Sequence, residues 1–299
     1  MSDLSQIITD IVSVTRHVTP AFIVIGLGYL FNRVFKNEID ALVGVSMSLL
    51  IPSFAFVHLY RMELQAGEIN TLFLSAWIVL LLPGVLAWLY FQGRGMSQRG
   101  LYLPIMFMNS VNLPFPILLS AFGEEAFPYA LVFYLASLLG IFTLGSLIVA
   151  EKKGFLQLFK EPVIYAIGIA LWMNLGEVAV PKILIHPLSL LESATIPMVL
   201  LVLGMQLSRV KIRQWKLPML AVMFRLGGGI LAAWICIWLF ELKGLPQKVL
   251  LLEAVMPSAV IGALVAEKYQ ADSELVASTV VLSTFLSIII IPLVLFYIT

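Results

Sequence analysis

Two asparagines, Asn109 and Asn112, stand three positions apart in the stretch Pro104-Ile-Met-Phe-Met-Asn109-Ser-Val-Asn112-Leu-Pro114-Phe-Pro116. A carboxamide both donates and accepts hydrogen bonds, and the i, i+3 spacing puts the pair on one face of a helix. Pro114 and Pro116 lack backbone N–H groups and break the helix beside them. The half-helix after such a break presents free N–H groups and a positive dipole end, which with the carboxamides suits a small carboxylate. The same residues also suit a plainer task, satisfying the carbonyls that the prolines release. A second interruption, Met256-Pro257-Ser258, offers a hydroxyl and further amides from the other side. Glu253 lies one turn before Pro257. At depth in a membrane an ionised carboxylate is costly, and three readings stay open: a cation ligand, a proton carrier, or a partner of Arg225. Arg225 itself is about nine residues into an apolar run, roughly 13 Å deep.

The candidate site therefore comprises Asn109, Asn112, Pro114, Pro116, Pro257 and Ser258 for substrate, with Glu253 and Arg225 for coupling or gating. Glu192 stands near the outer end of its run, within reach of headgroups or water. His58, with Tyr60 and Arg61, reads as an interfacial helix end. No enzymatic constellation accompanies them: there is no phosphate-binding loop, no His-Glu-x-x-His and no Gly-x-Ser-x-Gly elbow. The three histidines are scattered and Cys236 is the single cysteine, so neither a metal site nor an internal disulfide is expected. No cofactor is expected; sodium or a proton remains open as a coupling ion.

The elements that must position these residues are membrane spans. The chain has 299 residues, of which 61% are hydrophobic and 12% charged. Its mean hydropathy is +1.03, far beyond a soluble domain. A net charge of +1 gives no reason to expect a nucleic-acid partner, and the N-terminus shows no removable signal peptide. Runs long enough to cross the bilayer fall near 11–35, 40–60, 71–92, 101–122, 126–150, 162–178, 187–207, 217–240, 247–268 and 274–297. The expected fold is an all-α polytopic membrane protein of ten spans joined by short connections such as Gln92–Gly95 and Glu151–Gly154. Of the eighteen lysines and arginines, twelve lie in the odd-numbered connections and four in the even-numbered ones. That bias places the odd connections in the cytoplasm and both termini outside.

A faint internal repeat divides the chain. Ile51-Pro52 recurs as Ile196-Pro197, and the corner Phe122-Gly-Glu-Glu125 recurs as Tyr269-Gln-Ala-Asp272. Five spans per half is an odd number, so residues 1–150 and 151–299 insert in opposite senses. This arrangement is an inverted repeat that brings two broken helices face to face at the midplane. Gly227-Gly-Gly229, Gly140 and Gly145 suit close helix packing, and the tryptophans suit an interfacial belt.

With these residues in view, the chain resembles the auxin efflux carrier family, which includes the plant PIN-formed transporters and bacterial permeases. Asn109, Pro116 and Phe122-Gly-Glu-Glu125 are similar to the family's fourth helix, Pro197 with Gly204 to its seventh, and Met256-Pro-Ser-Ala-Val260, Ala266-Glu-Lys-Tyr-Gln270 and Pro292 to its C-terminal signature. The resemblance implies the fold of the bile-acid sodium symporters, with spans 1, 2, 6 and 7 as scaffold and spans 3–5 and 8–10 as transport domain. It implies broken, crossing fourth and ninth helices beside the substrate, and a homodimer through scaffold helices. Pro114 stands at the family's glycine position, Gly262 where plant members carry proline, and only Glu151–Glu161 joins the halves, so auxin itself is not the implied cargo. The expected function is secondary transport of a small organic anion across the cell inner membrane by alternating access. A sodium-coupled symporter of larger amphipathic anions, or a non-transporting receptor or sensor with the same pocket, remain as alternatives.

Overall fold

The structure, a computed structural model, describes residues 2–36, 38–61, 66–150, 159–210, 212 and 214–299. The turn at 151–154 and the basic residues at 211 and 213 lie outside them. Among the described residues there is no strand, as expected of a chain that must satisfy its backbone groups within hydrocarbon. Helices α1 (Ser2–Phe35), α2 (Asp40–Arg61) and α3 (Ala66–Gly93) lead to two short pieces, α4 (Tyr102–Met106) and α5 (Pro114–Phe122). Then follow α6 (Glu124–Val149), α7 (Pro162–Leu175), α8 (Lys182–Arg209) and α9 (Lys216–Phe240). The chain closes with α10 (Gly244–Ala254), α11 (Val260–Lys268) and α12 (Ser273–Ile298).

Seven of these helices are long and apolar enough to cross a membrane: α1, α2, α3, α6, α8, α9 and α12. Helix α7 is apolar but only 14 residues long. The runs near 101–122 and 247–268 are each interrupted, as α4/α5 and α10/α11. Large apolar side chains cover the outside, with Trp238 81% exposed and Ile183, Trp172 and Leu293 also open to the surroundings. An exposed apolar surface of that extent belongs in lipid.

Two close contacts fix the helices that matter for the site. Helices α1 and α8 meet where a Cβ on Gly28 would overlap the Leu201 carbonyl and one on Gly204 the Ile25 carbonyl. The Asn32 amide seals that crossing by donating to the Met205 carbonyl at 3.3 Å and to Ser208 Oγ at 2.7 Å. In α2, Pro52 offers no N–H to the preceding turn, and the helix widens into a π turn over Ser46–Leu50. The Thr195 hydroxyl of α8 donates to the Leu50 carbonyl at 3.1 Å. Such π turns commonly redirect side chains toward a site; here the turn carries Ser46.

Candidate functional site

The two interruptions touch. Helix α4 stops at Met106, and Phe107 turns into extended backbone with φ −101° and ψ 119°. Met108 and Ser258 form a single antiparallel bridge. On either side of it Asn109 N–H donates to the Pro257 carbonyl at 2.7 Å and Ala259 N–H donates to the Phe107 carbonyl at 2.9 Å. Each break thus satisfies backbone groups freed by the other, which is what buried, non-helical backbone requires.

Asn109 is folded back on its own loop. Its Oδ1 accepts the Asn112 N–H at 3.0 Å, an Asx-type turn that leaves Nδ2 facing away. That Nδ2 is buried without a hydrogen-bond partner. The prolines reduce the donors available at the start of α5. Pro114 and Pro116 have no N–H, and Phe115 N–H is spent on the Val111 carbonyl at 3.3 Å. Ser258 is also committed: its hydroxyl donates to the Pro104 carbonyl at 2.6 Å, and its N–H to Ser283 Oγ at 3.0 Å. Pro114, Pro116, Pro257 and Ser258 therefore shape the crossing and do not line the chamber described below.

Arg225, fully buried in α9, binds the crossing from behind. One guanidinium nitrogen donates to the Met106 carbonyl at 3.1 Å and the other to the Ala254 carbonyl at 2.9 Å. Glu253 is fully buried beside it, and neither carboxylate oxygen has a hydrogen-bond partner. Among the described residues no ion pair joins Glu253 to Arg225; two guanidinium nitrogens bond main-chain carbonyls, while Nε is buried without a partner. Gly229, one turn beyond Arg225, permits this approach: a Cβ there would overlap the Ala254 carbonyl and stand 2.7 Å from the guanidinium.

In front of the crossing is a chamber of about 90 Å³. Asn109 and Asn112 line it, together with five polar residues the sequence did not single out: Ser46, Ser110, Tyr134, Ser137 and Gln206. Three buried donors on this wall lack partners, Asn109 Nδ2, Ser46 Oγ and Ser137 Oγ. The N-terminus of α11 also reaches it through Val260 and Ile261. None of the described residues lining the chamber is charged. The wall is largely apolar, with a set of neutral donors and a helix N-terminus set into it that suit an acceptor-rich or anionic group.

A vestibule adjoins the chamber. It is about 640 Å³ in volume, shares Val43, Gln206 and Val260 with the chamber and is bordered by Asp40, Arg209, Glu267 and Glu274. Along α2 the order is vestibule at Asp40 and Val43, chamber at Ser46 and Ile51, then Phe54 and His58; α8 runs the reverse course from Glu192 through Val199 to Arg209. From Arg209 to Val199 is about 15 Å of helix, roughly half of a ~30 Å hydrocarbon layer. Beyond Ile51 along α2 comes a cluster of buried aromatic rings. Phe54 stacks on Phe115 at 5.1 Å and meets Phe127 edge-on at 4.9 Å, while His58 packs on Phe127 at 4.4 Å. His58 Nε2 lies 3.1 Å from Glu192 Oε1. His58 stands in the last turn of α2, as the sequence suggested, and pairs there with Glu192 beside the aromatic cluster.

The sequence is similar to that of known membrane proteins over most of its length. A family described as "Membrane transport protein" matches residues 146–295. An uncharacterized transporter of Methanocaldococcus jannaschii is 27% identical over 293 residues, covering 91% of this chain and 94% of its own length. An uncharacterized transporter of Methanothermobacter thermautotrophicus is 27% identical over 296 residues, covering 93% of this chain and 96% of its own. The chain is a multi-pass membrane protein, and it belongs to the membrane transport protein family, as a transporter and not an enzyme.

Proposed function

We propose that this transporter is a secondary carrier of a small organic anion, with the carboxylate held at the crossing of the two broken helices. The observation that carries the reading is the convergence of three unpartnered buried donors, Asn109 Nδ2, Ser46 Oγ and Ser137 Oγ, on one uncharged chamber. A buried donor without a partner costs about 1–3 kcal/mol, so a guest that supplies acceptors recovers that cost three times over. The α11 N-terminus adds a favourable dipole end. A chamber of about 90 Å³ supports a short carboxylate of the malonate or malate kind better than a bulky amphiphile.

Alternating access is the proposed mechanism. The vestibule at one end and the Phe54, Phe115, Phe127 cluster at the other are the features expected of a carrier resting with one gate closed. We assign the vestibule to the cytoplasm of the cell inner membrane, with both termini outside, from the lysine and arginine distribution. In the same reading residues 1–150 and 151–299 are inverted repeats of five spans each. Spans 1, 2, 6 and 7 form a scaffold that also makes a homodimer contact, and the two broken spans belong to the moving domain. The test is a thermal-shift panel of small carboxylates on the purified protein, since a ligand specific for the native state raises its melting temperature. A saturable shift with a short carboxylate, lost on Asn109→Asp, supports the site; shifts only with neutral or cationic compounds contradict it.

A further inference from the structure

The vestibule lies between two walls, each braced from within. One is the start of α2 and the end of α8, joined where the Thr195 hydroxyl donates to the Leu50 carbonyl at 3.1 Å. The other is the start of α12 with one face of α11, on which Val260, Ala263 and Glu267 stand at i, i+3 and i+7. In the turn between α11 and α12, Ala271 N–H donates to the Ala266 carbonyl at 2.8 Å. Helix α11 starts next to Ala259, whose N–H bonds Phe107 across the crossing. The second wall is therefore tied to the crossing and the first is not part of it.

Opposite charges border the vestibule from the two walls, Arg209 on α8 and Glu267 on α11. Arg209 stands 3.9 Å from Asp40, with 43% of the arginine side chain and 93% of the aspartate exposed. A long, exposed ion pair contributes little, so the guanidinium can exchange one carboxylate for another at small cost. Inward of Glu267 the second wall carries Ala263 and Ala277, and neither has the bulk to hold the walls apart. Register supplies a direction of closure. Val260 and Gln206 both mark the neck shared with the chamber. Glu267 lies seven residues beyond that neck along α11, about 10 Å, and Arg209 three residues beyond it along α8, about 4–5 Å. The offset is about one helical turn, a step by which packed helices are known to ratchet past each other.

We propose that Arg209 and Glu267 are the gate pair of the vestibule. When α11 slides about one turn toward the chamber, the guanidinium leaves Asp40 for the Glu267 carboxylate and the two walls meet. The inference rests on alternating access at the crossing, since the same slide carries the crossing away from the vestibule and toward the aromatic cluster. The pair acts on the change of state and not on the guest: neither residue lines the chamber.

The test is charge exchange read by counterflow of labelled malonate, with disulfide trapping as the arm that needs no substrate. Like charges facing each other across the closing walls oppose closure, so Arg209→Glu and Glu267→Arg should each slow counterflow about tenfold. The double variant carrying both should recover to within about threefold of wild type, the coupling expected of residues that meet. The melting shift produced by malonate should be the same in all four proteins. Arg209→Cys with Glu267→Cys should form a disulfide under mild oxidation in membranes, whereas each single variant, left with the buried Cys236, should not. Single reversals that transport at the wild-type rate, a double variant no faster than the singles, or a cysteine pair that never closes overturns the proposal. If malonate gives no counterflow with wild type, the cysteine pair decides alone: trapping upholds the gate and its absence ends it. Failure of the gate is thus distinct from failure of the anion site, which the malonate melting shift reports.

Discussion

Asn109 and Pro257 stand 148 positions apart in the chain, yet the amide of the first donates to the carbonyl of the second at 2.7 Å. Together with the return bond from Ala259 to Phe107, this joins two broken helices back to back and leaves Asn109 lining a small, largely apolar chamber. The substrate site, its support and its mouth can each be tested from that relationship.

Asn109→Ala and Asn109→Asp separate recognition from folding. Asp keeps the oxygen that accepts Asn112 N–H but replaces the free donor with an acceptor. Hydrogen bonds to charged groups contribute about 1.5–3 kcal/mol, so Asn109→Ala should weaken carboxylate binding by roughly ten- to a hundredfold. Asn109→Asp should bind at least as poorly while melting close to wild type. Titration of the carboxylate-induced melting shift checks both.

Ser46→Ala and Ser137→Ala should weaken the same titration, each by less than Asn109→Ala, with little loss of stability. Neither hydroxyl has a protein partner to lose. An unchanged affinity in both variants would remove the hydroxyls from the site.

Gly229→Ala and Gly227→Ala make a matched pair one turn of logic apart. A Cβ at Gly229 meets the Ala254 carbonyl and the Arg225 guanidinium, whereas one at Gly227 meets nothing within 4 Å. Overpacking costs about 1–3 kcal/mol, so Gly229→Ala should lower the melting temperature clearly and Gly227→Ala should not. Detergent melting curves of the two proteins decide it.

The mouth can be located by thiol labelling, because the single native cysteine, Cys236, is fully buried and gives little background. Gln206→Cys, at the junction of chamber and vestibule, should react with a membrane-impermeant reagent from the cytoplasmic side. Combining it with Phe54→Ala, which removes the ring joining Phe115 and Phe127, should increase labelling from the opposite side. Equal labelling from both sides without Phe54→Ala would contradict a closed aromatic gate.

The contrast between what the sequence revealed and what it concealed is physical. Prolines and asparagines inside apolar runs are conspicuous, so both interruptions and Asn109 could be read directly. Arg225 was conspicuous too, but its partners were not: main-chain carbonyls have no sequence signature, and the carboxylate at 253 was the more obvious candidate. Ser46 and Ser137 gave no signal, because a lone hydroxyl in an apolar helix usually bonds back to a carbonyl one turn earlier. Ser75, Thr143 and Thr284 do so here, to Thr71, Leu139 and Val280. Which hydroxyl is left free depends on the π turn and on helix rotation, properties of the assembled bundle. The pairing of His58 with Glu192 likewise joins two helices distant in the chain.

The most direct test is counterflow in proteoliposomes, using the labelled short carboxylate that gives the largest melting shift. Saturable accumulation driven by unlabelled carboxylate inside, abolished by Asn109→Asp, is the expected result. Saturable binding without any flux would make the protein a receptor, and wild-type flux through Asn109→Asp would place the substrate somewhere other than the crossing.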